Sequence, residues 1–243
     1  MSSPFLAQVA TDKYGAGDVK SNTLFILYGH TRIRKLGTIW MDAVFHNWDH
    51  SVNGDIKNNG FTMIYFPRDK TATFKNHLGT YFLQQFHLHW GRGPGEGSEH
   101  VIDNKRYDAE IHFVHLKEGA DVKHLQPDSF AVLAVLCEKD YSGVVNGSWR
   151  QLAIPTGYDL EVPVTGIEYK DFLPMSHDYY HYGGSLTMPP CSEAVQWFVL
   201  KQTVKIPVSV LRKLRQIDDG TGDTLQCNIR RLQPLNDRQI QSM

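Results

Sequence analysis

Gln84-Gln85-Phe86-His87-Leu88-His89-Trp90-Gly91 is the stretch on which the reading of this chain turns. Side chains alternate between the two faces of an extended strand, so Gln85, His87 and His89 point the same way. Two imidazoles placed like this can share one metal ion. A second stretch, Glu110-Ile111-His112-Phe113-Val114-His115, carries Glu110, His112 and Val114 on one face and His115 on the other. His112 is therefore the better third ligand. Three neutral imidazoles from two strands leave a tetrahedral zinc with one open position, the arrangement of a catalytic centre. Gln85 and Glu110 each lie two residues from a ligand candidate on the same face, where they could accept an imidazole N–H. A lone His-x-His is common in half-buried strands that bind nothing; His112, Gln85 and Glu110 in register are what raise this one above it.

Working outward, 61–66, 81–90, 109–116, 130–137 and 195–204 are short, rich in aromatic and β-branched residues, and bounded by Gly, Asn, Asp or Pro. The expected fold is mainly β. The run 130–137 lacks polar alternation, which predicts a central strand covered on both faces. A helix is expected over 207–217, with proline in its first turn and Val210, Leu211, Leu214 and Ile217 on one face. Between Asp159 and Pro190, residues such as Pro163, Pro174, Gly183, Gly184, Pro189 and Pro190 predict a long loop, of the kind that usually serves function. No repeat or low-complexity tract divides the chain, so one domain is expected.

Composition narrows the function. Over 243 residues, 25 Lys+Arg against 26 Asp+Glu give a net charge of −1, and the basic residues are scattered, so nucleic acid is not an expected partner. The longest apolar run, Phe130 to Cys137, falls far short of the roughly 20 residues that a membrane-spanning helix needs. Three cysteines, Cys137, Cys191 and Cys227, cannot all close into disulfides within the chain. The N-terminal residues show no secretory signal pattern, which places the chain as written in the cytosol. His30, His46, His50, His77, His124, His177 and His181 match no pattern and receive no role.

Five separated motifs, 86–91 (FHLHWG), 97–100 (GSEH), 107–115 (YDAEIHFVH), 184–190 (GSLTMPP) and 232–240 (LQPLNDRQI), resemble the α-class carbonic anhydrases in order and spacing, over about 44–240. The resemblance implies a single domain on a central, twisted, mostly antiparallel ten-stranded sheet with a few short peripheral helices. It also implies a zinc ion at the base of a conical cleft and the reversible hydration of CO2 to bicarbonate by a zinc-bound hydroxide. His87, His89 and His112 are similar to the zinc ligands, and Gln85 and Glu110 to their partners. Thr187 resembles the gatekeeper whose hydroxyl donates toward Glu99 and accepts from the zinc-bound water. Val114, Val132, Leu186, Val195 and Trp197 resemble the apolar wall that holds CO2, although sequence supports a reading as ordinary core equally well. The expected partner is a small molecule and the expected state a monomer.

The chain departs from the family pattern at several places. After Asn58-Asn59-Gly60, fast members carry a proton-shuttling histidine, whereas here stands Phe61, which has no titrating group. Proton transfer is then expected to limit turnover. Met188 replaces a threonine beside the gatekeeper, which narrows the cleft. Residues 1–43 lack the Trp/Tyr cluster and the Gln-Ser-Pro-Ile signature, reading Lys20-Ser21-Asn22-Thr23-Leu24-Phe25-Ile26 instead, so a divergent segment is expected before the domain at 44–243, with an apolar stretch at 24–28 in need of cover. Cys191 resembles a disulfide position of the secreted branch, but 1–136 contain no cysteine to pair with it. Together with the sequon Asn146-Gly147-Ser148, it hints at secreted ancestry.

Two other readings stand beside the enzyme. One is a carbonic anhydrase-related binding module, which usually lacks a zinc histidine; here all three are present. The other is a structural zinc site, which would need a fourth protein ligand that these motifs do not supply.

Overall fold

The computed structural model describes Ile26–Leu27 and residues 43–243. The remaining expectations for the N-terminal segment, including most of the apolar stretch 24–28, and His30 fall outside these residues.

Strand β1 (Ile26–Leu27) pairs in parallel with β7 (Val101–Ile102) as a small separate ladder. Among the described residues the main sheet has twelve strands, against the ten expected. Its members are β2 (Val44–His46), β3 (Val52–Asn58), β4 (Met63–Pro67), β5 (Thr73–Asn76), β6 (Gly79–Trp90), β8 (Ala109–Lys117), β9 (Phe130–Asp140), β10 (Glu161–Ile167), β11 (Tyr179–Gly184), β12 (Val195–Leu200), β13 (Val204–Pro207) and β14 (Gln241–Ser242). The through-going order is β10-β3-β4-β6-β8-β9-β12-β11-β14, with β13 on β9, and β2 and β5 as a flap on β6. Pairing is antiparallel except where β12 and β13 run parallel to β9. The helices are short: α1 (Gly147–Gln151), α2 (Val208–Leu214) and a 3-10 turn at Tyr169–Phe172.

Strand β9 is central and buried from Phe130 to Cys137, because its neighbours put apolar side chains on both faces. One face joins Ile111, Phe113, Leu133, Phe198 and Leu200 to the main core. The other joins Val114, Val132, Ala134, Trp197, Val199 and Tyr182 in a second cluster. The expected helix forms but is shorter, with Pro207 as its N-cap. The expected strand over 195–204 breaks after Leu200 and resumes as β13.

The long loop is a correction. Within 159–190 lie β10, the 3-10 turn and β11. Pro163 is tolerated because β10 is the sheet's outer strand, where a missing N–H costs no ladder bond. Tyr179–Gly184 is held through its whole length by antiparallel pairing with β12. The stretches 173–178 and 185–194 lie outside the strands and the 3-10 turn, and the second carries the Leu186-Thr187-Met188 segment.

Candidate metal centre

Strands β6 and β8 pair antiparallel with His87 directly opposite His112 and His89 opposite Glu110. A register shift between Leu83 and Gln85 is what makes this possible. Before it, Tyr81 and Leu83 point into the main core; after it, Phe86, Leu88 and Trp90 do so, releasing Gln85, His87 and His89 to the opposite face. The bulge lets one strand fill a core at both ends and still present three consecutive odd positions to a cleft.

Each imidazole has one nitrogen committed. His87 Nδ1 lies 2.9 Å from Gln85 Oε1, His89 Nδ1 3.0 Å from the Asn228 carbonyl, and His112 Nε2 2.6 Å from Glu110 Oε1. The two oxygens without hydrogens and the glutamine Oε1 can only accept, so these nitrogens carry the protons. The lone pairs of His87 Nε2, His89 Nε2 and His112 Nδ1 are thereby turned toward one another, within 4.8 Å. His87 Nε2 and His89 Nε2 are buried with no hydrogen-bond partner.

Glu110 is locked in turn. Its Oε1 also receives His100 Nδ1 at 2.6 Å, its Oε2 receives the His100 backbone N–H at 2.8 Å, and His100 Nε2 meets the Tyr182 hydroxyl at 2.6 Å. Burial alone would raise the Glu110 pKa, but His100 and His112 hold it well below the usual carboxylate range, so it remains an acceptor. Burial pushes His87 well below its ordinary value, with His89 and His112 adding to the effect. Burial lowers His89 as well, against the opposing pull of Glu99. Both rings are neutral at neutral pH, the form that ligates a metal.

Glu99 approaches from a loop. Gly97 and Ser98 both donate backbone N–H groups to the Tyr107 carbonyl, at 2.8 and 3.0 Å, so tightly that a Cβ on Gly97 would meet Asp108 O at 1.9 Å. Glu99 Oε1 accepts the Arg230 N–H at 3.0 Å, while Oε2, buried and without a hydrogen-bond partner, lies 3.4 Å from His89 Nε2 and 3.9 Å from His112 Nδ1. Three converging lone pairs beside an unpartnered carboxylate oxygen form a strongly electronegative, buried pocket. A divalent cation relieves that repulsion, and the all-imidazole donor set suits zinc. No fourth histidine or cysteine joins the set among the described residues.

A cavity of about 40 Å³ opens over His87 and His112, walled by Ile64, Gln85, Val114, Val132, Leu186, Thr187, Met188 and Trp197. A larger depression of about 410 Å³, lined in part by Asp140, Trp149, Met175 and Lys205, lies elsewhere and holds no cluster of metal-ligating groups. The small cavity is the chemically meaningful one.

The family model for eukaryotic-type carbonic anhydrases matches residues 36–243. The chain belongs to the eukaryotic-type carbonic anhydrase family. It is 33% identical to the putative carbonic anhydrase 3 of Caenorhabditis elegans, over 81% of this chain and 80% of that protein. It is 38% identical to carbonic anhydrase 6 of dog and of human, in both cases over 76% of this chain but only 61% and 63% of those proteins.

Within this carbonic anhydrase domain His87, His89 and His112 converge, with Gln85 against His87 and Glu110 against His112. Thr187, Met188, Leu186, Val114, Val132 and Trp197 line the cavity. Val195 does not; it sits behind the wall in the apolar cluster with Trp197 and Val132. Phe61 is half-buried and also outside the lining. No hydrogen bond joins Thr187 to Glu99 among the described residues; Glu99 Oε1 accepts the Arg230 N–H and Oε2 faces the imidazoles. Among the described residues, no helix is long and apolar enough to cross a membrane.

Sequence reasoning missed Asn228, His100, Tyr182 and Ile64. Asn228 lies 139 residues from His89, and besides holding that ring it accepts the Trp90 N–H at 2.7 Å and donates to the Leu88 and Phe61 carbonyls. No local pattern signals a contact of that span. His100 was visible within the GSEH motif, yet only Glu99 was singled out there.

Proposed function

We propose that this chain is a zinc-dependent carbonic anhydrase, interconverting CO2 and water with bicarbonate and a proton. The observation that carries the reading is the convergence of three imidazole lone pairs, each aimed by a separate acceptor on the far side of its ring. Zinc held by His87, His89 and His112 would acidify water toward a pKa of about 7, as the ion does generally in carbonic anhydrases, and so would supply hydroxide near neutral pH.

The chain's own groups do the rest. Gln85, the Asn228 carbonyl and Glu110 hold the rings and keep their proton-bearing nitrogens turned away from the ion. Val114, Val132, Leu186 and Trp197 offer a non-polar substrate an apolar wall, in a cavity the size of one or two small molecules. Thr187, on the same cavity, would orient the attacking oxygen through its hydroxyl. Met188 narrows the space. Phe61 takes no part in proton export, so the proton leaves through water and buffer, and turnover is slower than in a histidine-bearing relative.

Chelation and reconstitution test this. CO2 hydration should rise above the uncatalysed rate with zinc bound, vanish after chelation and return with added zinc. A fully zinc-loaded chain with no hydration would overturn the proposal in favour of an interaction module built on the same fold.

A further inference from the structure

On the sheet face opposite the metal centre, His181 presents an unexplained histidine. It lies on β11 opposite Phe198 of β12 and stacks on that ring at 4.6 Å. Only 6% of its surface is exposed, yet neither ring nitrogen has a hydrogen-bond partner. A buried imidazole with both nitrogens unmet has given up its hydrogen bonds to water without replacing them. Such a loss needs a reason.

The neighbouring group supplies one. His77 stands in the tight turn between β5 and β6, where Asn76 Oδ1 accepts the Leu78 N–H at 2.7 Å and so fixes the turn that presents the ring. The His77 and His181 ring centroids are 6.0 Å apart. A metal bound by two imidazole nitrogens at about 2.0–2.1 Å sits about 3.2 Å from each ring centre, so rings up to about 6.4 Å apart can share one ion. The exposed His77 ring can swing closer without disturbing the core. Burial keeps both rings below their ordinary pKa, leaving ligating lone pairs free at neutral pH.

We propose that His77 and His181 form a second metal site, a two-imidazole surface clamp for a divalent late transition metal whose other positions are filled by water. It is independent of the three-histidine centre. Borderline imidazole donors bind Cu2+ most tightly among such ions, which makes Cu2+ alone the probe.

Equilibrium dialysis of the zinc-loaded chain against Cu2+, with both metals quantified, tests the site. One copper per chain should bind while zinc is retained. His77→Ala, a change at an exposed turn, and His181→Phe, which keeps the stacking on Phe198, should each weaken that copper binding by roughly tenfold or more. The His89→Ala chain, altered at the first centre, should still take up the copper. Copper binding unchanged in His77→Ala, copper that only displaces zinc one for one, or no copper uptake at all would overturn the proposal.

Discussion

His112 shares the Oε1 atom of Glu110 with His100, both nitrogens 2.6 Å away, and this shared acceptor decides which His112 nitrogen is left for a metal. Glu110→Gln replaces an acceptor-only carboxylate with an amide that can turn its NH2 toward either ring. Zinc affinity is expected to fall about 10- to 100-fold, the usual cost of losing such a partner. Chelator competition measures it, and an unchanged dissociation constant would show that Glu110 does not set the ring.

Gln85→Leu makes a milder version of the same argument, since Gln85 holds His87 at 2.9 Å with a neutral oxygen. The loss should be smaller than for Glu110→Gln, because charged acceptors bind more strongly. The reverse order would contradict the assigned roles.

Phe61 stands where a proton acceptor would help. Imidazole-type buffer should raise the maximal hydration rate of the native chain, and Phe61→His should raise it at low buffer with zinc content unchanged. A rate indifferent to both changes would mean that proton export does not limit turnover.

Filling the cavity should separate substrate access from metal binding. Val132 is 1% exposed and lines the cavity of about 40 Å³. Val132→Phe overfills that space, at about 1–3 kcal/mol in stability, and is expected to lower kcat/KM for CO2 about tenfold or more at full zinc occupancy. Undiminished activity would place the substrate elsewhere.

Acid should destabilise the fold in a window to which two buried histidines away from the metal centre contribute. Burial pushes His115 and His181 from the ordinary 6.5 down to about 4. The unfolded chain therefore binds protons from about pH 6.5 downward while the native chain does not until about pH 4. Stability is complete above pH 6.5 and falls through that interval, by up to about 3 kcal/mol for each group. Urea midpoints at pH 7.5, 5.5 and 4.5 should decline, less steeply in His181→Phe. Equal slopes in the two proteins would rule out His181 as a contributor.

How much could be read beforehand depended on the range of the interaction. The faces of 85–90 and 110–115 follow from strand periodicity, and so did the three-histidine set. The bulge before Gln85 did not, since nothing local in Leu83-Gln84-Gln85 announces it, although it reconciles the core positions Tyr81 and Leu83 with the cleft positions that follow. Pro163 and the glycines of 183–184 suggested a loop, yet pairing with β3 and β12 overrode that local preference. Asn228 and Tyr182 act on His89 and His100 across 139 and 82 residues, contacts that only the folded sheet creates.

Stopped-flow CO2 hydration with zinc content determined on the same purified sample tests the central claim most directly. The account predicts about one zinc per chain in the His87, His89, His112 centre and catalysis that scales with it, both lost together in His89→Ala. Stoichiometric zinc without hydration, or a full zinc equivalent retained by His89→Ala at that centre, would contradict it.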